Sequence, residues 1–269
     1  MSLFYQFEKL CAKLRHSDLL KTLTPLWDAV RPVYNGIVNI AGGSGLVRNI
    51  NGTDTLRITP GCRGIRESYE PKVWATVMQH IGPGSRVIDV GSHFGLYAVA
   101  FGLRVGVTGC VLAAEPDPEN LELLRQHIEL NRLTEIVRVV PAGMADAPGT
   151  ASLNMNSLQS HVAREGGSVS IQLETLDRVT ACQRWDLLLI DVEGFEEKVL
   201  RGGSLLLSDA DRRPSMIMIE VHPYAWTDVG TSSATLLEAL TSKGYTVRSL
   251  DGAPVCEITA YGHVVATLL

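Results

Sequence analysis

The chain has 269 residues, 45% of them hydrophobic, and a net charge of −5. That much apolar material builds a sizeable core and excludes a disordered chain, and with no Lys/Arg run a nucleic-acid partner is not expected. Five cysteines, at 11, 62, 110, 182 and 256, are odd in number, widely spaced and without a C-x-x-C pair. They suit neither a disulfide framework nor a zinc knuckle, so a reducing, cytoplasmic setting is expected. No signal peptide is read at the N-terminus, where a basic region, an apolar core and a small-residue cleavage site are all missing.

Residues 3–34 place apolar side chains at helical spacing, from Leu3, Phe7, Leu10 and Leu14 to Leu23, Leu26, Trp27 and Val30, with Pro25 and Pro32 as punctuation. One or two amphipathic helices are predicted, packed on the main domain and offering a surface for homo-oligomer contact. Residues 39–61 begin Gly-rich and become strand-like. No Gly-Lys-Ser/Thr follows "AGGSG", so a loop and hairpin is expected there, not a phosphate loop. The expected division is an N-terminal extension, 1–60, and a main domain, 61–269.

From residue 71 the pattern is regular. A helix over 71–81 leads to a strand at 86–90, a helix at 94–103, a strand at 111–115, a helix at 118–131 and a strand at 136–141. Further on come a strand at 186–191, a helix at 195–206, a strand at 215–221, a helix at 232–243 and terminal strands near 246–250 and 255–268. The apolar stretch 97–114 is long enough to suggest a membrane span. Arg104 and three internal glycines make it a helix, a turn and a buried strand instead, so no integral membrane segment is expected.

Alternating strands and helices predict an α/β fold, a doubly wound, mostly parallel sheet. "DLLLIDV" and "SMIMIEV" are continuous apolar runs, as strands buried on both faces require. Residues 149–157 and 166–176 break the alternation and read as an antiparallel hairpin insertion. Its polar loop, 154–167, reads equally as a cover for a site, with Ser157, Ser160, His161 and Arg164 available, and as an exposed hairpin tip.

In such sheets ligands bind beyond the C-terminal strand ends. Here those ends carry Asp89, Glu115, Asp191 and Glu220, the last followed by His222. The stretch "VIDVGSHFG" spaces Asp89, Gly91 and Gly95 as D-x-G-x-x-x-G. A dinucleotide fingerprint needs glycine where His93 stands, and a pyrophosphate would be repelled by Asp89. A cationic ligand without phosphates, S-adenosylmethionine, suits the turn better. Glu115, ending the next strand, is placed to accept both ribose hydroxyls, and Asp146 reads equally as a neighbour of the adenine and as a turn aspartate before "APG". In "DVEGFEEKVLRGG", Asp191 and Glu193 flank a strand end. Glu196 and Glu197 read as helix-start acids that suit the helix dipole.

"VIDVGSHFGLYAVAF", "AAEPDPENLELLRQHIELN", "LETLD", "LLLIDVEGFEEKVLRG" and "IMIEVH" together resemble the FkbM-type S-adenosylmethionine-dependent methyltransferases, over roughly residues 67–250. The resemblance implies a Rossmann-like class I methyltransferase sheet of seven strands with a reversed final hairpin. It also implies O-methylation of sugars, glycans or polyketide-type products, with Asp89, Gly91, Gly95 and Glu115 lining the cofactor site. The family usually carries Ala and Asn where this chain has Ser92 and His93, which leaves open what those two side chains do.

Asp191 and His222 are the candidate bases, with Glu193 and Glu220 beside them. A divalent metal is a secondary option and not the favoured one, since no ligand motif of fixed spacing is present. Two other readings remain at this point: a non-catalytic binding domain on the same scaffold, and an NAD-dependent oxidoreductase. The second lacks a suitable Y-x-x-x-K, the pair Tyr5 and Lys9 standing far ahead of the nucleotide unit.

Overall fold

A computed structural model describes residues 36, 43–154, 161–163, 169–180 and 183–268. The helices expected over 3–34 lie outside the described residues, as do Ser157, Ser160 and Arg164 and the side chain of His161. The chain divides into two compact units, 1–69 and 70–269.

In the first unit, β1 (Leu46–Ile50) and β2 (Asp54–Ile58) form an antiparallel hairpin with Leu46 opposite Ile58. Asn51 and Gly52 take φ of 52° and 75° at its tip, the backbone an Asn-Gly turn demands. Leu46, Ile50, Leu56 and Ile58 alternate onto the buried face.

The second unit begins with α1 (Pro71–His80), then β3 (Arg86–Val90), α2 (Leu96–Val105), β4 (Cys110–Ala114), α3 (Pro118–Leu130) and β5 (Val137–Val140). An insertion follows, of β6 (Gly143–Met144), β7 (Gly149–Asn154), β8 (His161–Ala163) and β9 (Val169–Glu174). The chain then continues through α4 (Leu176–Val179), β10 (Leu187–Ile190), α5 (Glu196–Gly202), α6 (Ser204–Ser208), β11 (Met216–Val221), α7 (Pro223–Val229), α8 (Ser233–Thr241), β12 (Tyr245–Ser249) and β13 (Gly262–Leu268).

Seven strands form the main sheet in the order β12-β13-β11-β10-β3-β4-β5. All neighbours are parallel except β13, antiparallel to both β11 and β12. The fold is the doubly wound α/β class expected, with the final hairpin reversed. The first sheet strand, β3, lies in the middle: β4 and β5 extend one way, β10 and β11 the other. The reversal of order between β3 and β10 opens a crevice at their C-terminal ends. Every residue of β10 is buried. Leu188, Ile190, Ile217 and Ile219 pack with Val199, Leu200 and Leu236 in one cluster, each such side chain contributing about 1.5–3 kcal/mol on burial.

Several element limits differ from the sequence expectations. The helix expected at 94 begins at Leu96, because Gly95 precedes it with φ of 86°. The helix expected over 195–206 is two helices, α5 and α6, separated at Gly203, where a Cβ would come within 3.0 Å of Leu176. The terminal strand starts at Gly262, not 255; the amide of Ile258 instead donates to Ser233 Oγ at 2.7 Å. Helix α7 is absent from the sequence reading, although Pro223 stands at its first position. The insertion is a four-stranded sheet, β6-β9-β7-β8; β7 and β9 pair antiparallel as expected, but β6 joins β9 in parallel.

Helix α5 sits hard against the turn after β6. A Cβ on Gly202 would lie 2.0 Å from the carbonyl oxygen of Ala145. Replacing a helical glycine by alanine normally stabilises. Here Gly202→Ala is expected to destabilise by about 1–3 kcal/mol in urea unfolding; a neutral or stabilising result would contradict this close approach.

Candidate active site

The crevice starts with the turn after β3. Gly91 and Ser92 both donate their amides to the Ala114 carbonyl, at 2.9 and 3.0 Å, and Gly95 donates to Ser92 at 2.8 Å. Gly91 takes φ of 84°, and a Cβ there would lie 1.7 Å from the Asp191 carbonyl oxygen. Gly95 takes φ of 86°, with Leu124 in the way of any side chain. Both glycines are therefore obligatory. His93, at φ of 51°, is a non-glycine residue in the same left-handed region and carries the strain of that conformation. Ser92 spends its hydroxyl on the Asp89 carbonyl at 2.9 Å. His93 donates its amide to Glu115 at 2.8 Å and leaves its ring exposed at the rim. The two residues that depart from the family pattern thus hold the turn together.

Asp89 is buried, and its Oδ2 has no hydrogen-bond partner among the described residues. Burial pushes its pKa up to about 7; the Ser92 hydroxyl opposes the shift and the Glu115 charge adds to it. Glu115 is also buried and also pushed up to about 7 by burial, despite backbone hydrogen bonds that favour its charged form. Its Oε1 accepts from Asp117 N at 2.9 Å and its Oε2 from His93 N at 2.8 Å. The Asn120 side chain also bonds to it, so the carboxylate is fixed in orientation and still keeps lone-pair capacity to spare. Asp117 caps α3, accepting from the amides of Glu119 and Asn120.

The opposite wall is built by β10, β11 and the loops after them. His222, 1% exposed, is bonded through Nδ1 to Glu196 Oε1 at 2.7 Å. Its Nε2 lies 3.4 Å from Glu193 Oε2 and 3.9 Å from Asp191 Oδ1. Burial lowers the His222 pKa, but the hydrogen bond to Glu196 and the charges of Glu193, Glu196 and Glu220 outweigh it, so the net shift is upward. Asp191 is pushed well above the carboxylate range by burial and by Glu220, with which it shares a hydrogen bond; Glu193 and Glu70 add to the repulsion. Glu193 and Gly194 take φ of 50° and 105° in succession, and Gly194 admits α7, with Ala225 2.6 Å from where a Cβ would stand.

The structure therefore gathers Asp191, Glu193, Glu220 and His222 on one wall, and Asp89, Gly91, Ser92, His93, Gly95 and Glu115 on the other. Asp146 is exposed, in the turn between β6 and β7 that packs on α5, and makes no hydrogen bond or ion pair among the described residues. Four contributors escape the sequence reading. Glu196, read as a helix-start acid, is fully buried and accepts from His222, Gly194 N and Trp226 Nε1. Tyr224 donates to Glu193 Oε2 at 2.8 Å, and Tyr261 donates to Glu220. Both rings flank His222, with centroids 5.7 and 5.4 Å away. Glu70 accepts from Tyr97 at 2.9 Å. Only Tyr224 had a local signal, its place two residues after His222.

The family model for the FkbM methyltransferase domain matches residues 89–247. The chain belongs to the FkbM methyltransferase family. The match begins at Asp89 and ends within β12, so the FkbM domain contains both walls of the crevice. Among solved structures, the chain is similar to a methyltransferase FkbM from Methylobacillus flagellatus KT (17% identity, TM-score 0.46), over 70% of this chain and 44% of that one. It is also similar to a SAM-dependent O-methyltransferase from Thermotoga maritima (14% identity, TM-score 0.47), over 84% and 78% of the two chains. A third is the precorrin-6y C5,15-methyltransferase from Geobacter metallireducens GS-15 (15%, TM-score 0.45), over 77% and 92%. The chain spans less than half the length of the Methylobacillus protein. No curated protein matches it.

The Asp89 shift sets a pH test. Its folded pKa stands above its ordinary value, so the folded state holds a proton that the unfolded state has lost. Stability therefore falls as pH rises from about 4 to about 7. Asp89→Asn is expected to raise the melting temperature at pH 8 and leave it nearly unchanged at pH 4. Equal shifts at both pH values would contradict a buried, unpaired carboxylate.

Proposed function

We propose that this FkbM domain transfers a methyl group from S-adenosylmethionine to a hydroxyl of a small molecule of sugar, glycan or polyketide type. The observation that carries the reading is the Asp89 oxygen, buried without a partner beside a fixed Glu115 at the point where strand order reverses. The residues present fit that cofactor. Asp89 would hold its ammonium end, Glu115 has lone pairs free for the ribose diol, and Asp146 is assigned to the adenine edge. Gly91 and Gly95 keep the turn free of side chains. An acidic wall opposes a pyrophosphate, which weighs against a nicotinamide dinucleotide.

When bound, the cofactor supplies a methyl group on a positively charged sulfur that leaves as a neutral thioether. The protein's own part is to orient the acceptor oxygen and take its proton. An aliphatic hydroxyl is about as weak an acid as water, near pKa 15.7, so the proton must move as the new bond forms. Asp191 and His222 are the proposed acceptors, with Glu193 and Glu220 beside them. Glu196 holds the imidazole so that Nε2 faces the carboxylates, an orienting role. The exposed rings of Tyr224 and Tyr261 border the same opening and supply flat apolar surface for an acceptor.

No helix among the described residues is long and apolar enough to cross a membrane. Cys62, Cys110 and Cys256 are free thiols, in keeping with a cytoplasmic location.

Incubation with isotopically labelled S-adenosylmethionine and panels of sugars and polyketide alcohols, read by mass spectrometry, is expected to give a methyl ether. Asp191→Asn and His222→Ala are each expected to lower kcat about a hundredfold or more. Near-normal kcat in both variants would remove these residues from the proton transfer.

A further inference from the structure

We propose that Asp191, Glu193 and His222 form a binding site for a divalent cation at the mouth of the crevice. One oxygen from each carboxylate and one imidazole nitrogen lie within 4.8 Å of one another. The His222 Nε2 distances, 3.4 Å to Glu193 and 3.9 Å to Asp191, are close to those a shared ion needs. Two ligands about 2.1 Å from one Mg²⁺ or Mn²⁺, at right angles, stand roughly 3.0 Å apart. Closing the set takes side-chain movements of less than about 1 Å.

The imidazole supplies a second, independent observation. His222 is 1% exposed and makes its one hydrogen bond through Nδ1. Among the described residues its Nε2 makes no hydrogen bond, and it faces two carboxylates at 3.4 and 3.9 Å. With its proton on Nδ1, toward Glu196, the ring presents a lone pair on Nε2, and a divalent cation there would take the place of the proton that otherwise bridges Nε2 to the two carboxylates. Histidine ligands are commonly oriented in this way, with the far nitrogen on a carboxylate. Here that carboxylate, Glu196, is itself fixed by Gly194 N at 2.9 Å and Trp226 Nε1 at 2.8 Å. Glu193 keeps a lone pair beside its bond from Tyr224.

Charge points the same way. Asp191, Glu193 and Glu220 make no ion pair with a lysine or arginine among the described residues; their only ion pairs are with histidines. Two oxygens and one nitrogen suit Mg²⁺ or Mn²⁺, and three protein ligands leave positions open for water or an acceptor. On the methyltransferase reading, which this part of the proposal rests on, the acceptor is a chelating one, such as a vicinal diol. The cation would make its hydroxyl more acidic; with the cation bound, Asp191 and His222 would serve as ligands in place of the proton-accepting role they have without it, and Glu220 would take the proton.

The test uses the full chain, stripped with EDTA and titrated with Mn²⁺, followed by the electron paramagnetic resonance of free Mn²⁺ and by calorimetry. One Mn²⁺ per chain is expected. Asp191→Asn and Glu193→Gln should weaken it at least tenfold, and Glu196→Gln, acting through His222, about 10–100-fold. Glu122→Gln, on the exposed face of α3, should leave it unchanged. Asp191 keeps 43% of its side-chain exposure, so its variant is the one best placed to fold, which circular dichroism checks. Absence of stoichiometric binding, or binding unchanged in a folded Asp191→Asn variant, overturns the site. Methyl transfer at full rate in EDTA together with no Mn²⁺ binding also overturns it while leaving the methyltransferase reading standing. Mn²⁺ binding without S-adenosylmethionine binding supports the site and removes the methyltransferase reading.

Discussion

Uncompensated negative charge at the C-terminal ends of the sheet is the constraint on which the crevice depends. Asp89, Glu115, Asp191 and Glu220 each stand at or next to the C-terminal end of a largely apolar strand. Moving carboxylates out of water without cations is unfavourable, and the upward shifts of Asp89 and Glu115 express that cost; at Asp191, only partly withdrawn from solvent, the neighbouring Glu220, Glu193 and Glu70 add to the shift. Glu196 shows the contrast. It is fully buried too, but three donors surround it. The sheet thus satisfies completely the acid that orients His222 and leaves the acids facing the opening short of positive charge. Such an arrangement suits ligands that bring their own cation.

The fold supplies the position. Strands β3 and β10 lie side by side with Asp89 opposite Leu189, and their following loops diverge to opposite sides of the sheet. Gly91 lets the two loops touch, since its missing side chain is the space occupied by the Asp191 carbonyl. Gly194 does the same for α7, bringing Pro223–Val229 and its Tyr224 over the second wall. The reversed strand β13, set between β11 and the edge strand β12, pairs His263 with Glu220 in register, and the turn before it brings Tyr261 to Glu220. Close backbone approach, more than any special side chain, brings the strand ends into one site.

Much of this was legible in the sequence because a buried parallel strand announces itself as an apolar run, and an acid ending such a run is conspicuous. The strand order needed the structure, but the acids at the strand ends did not. Glu196 and Glu197 were not separable by sequence, since both suit a helix start. In the helix they point about 100° apart: Glu196 turns to His222, whereas Glu197 meets Arg201 and Thr235. Asp191, Glu193 and His222 were each singled out in the sequence, but a metal stood second to a base there because Asp191 and Glu193 come from one loop and His222 from the next strand's end, a spacing set by an intervening helix pair and strand that matches no fixed ligand motif. Tyr261 was assigned to a strand, and only the late start of β13 frees it to reach Glu220.

The most direct measurement is calorimetry of the dialysed protein with S-adenosylmethionine and, separately, with NAD. A crevice whose buried acids await a cationic adenosyl ligand should bind S-adenosylmethionine saturably at one site and give no binding heat with NAD. Saturable binding of NAD, with none of S-adenosylmethionine, would contradict it.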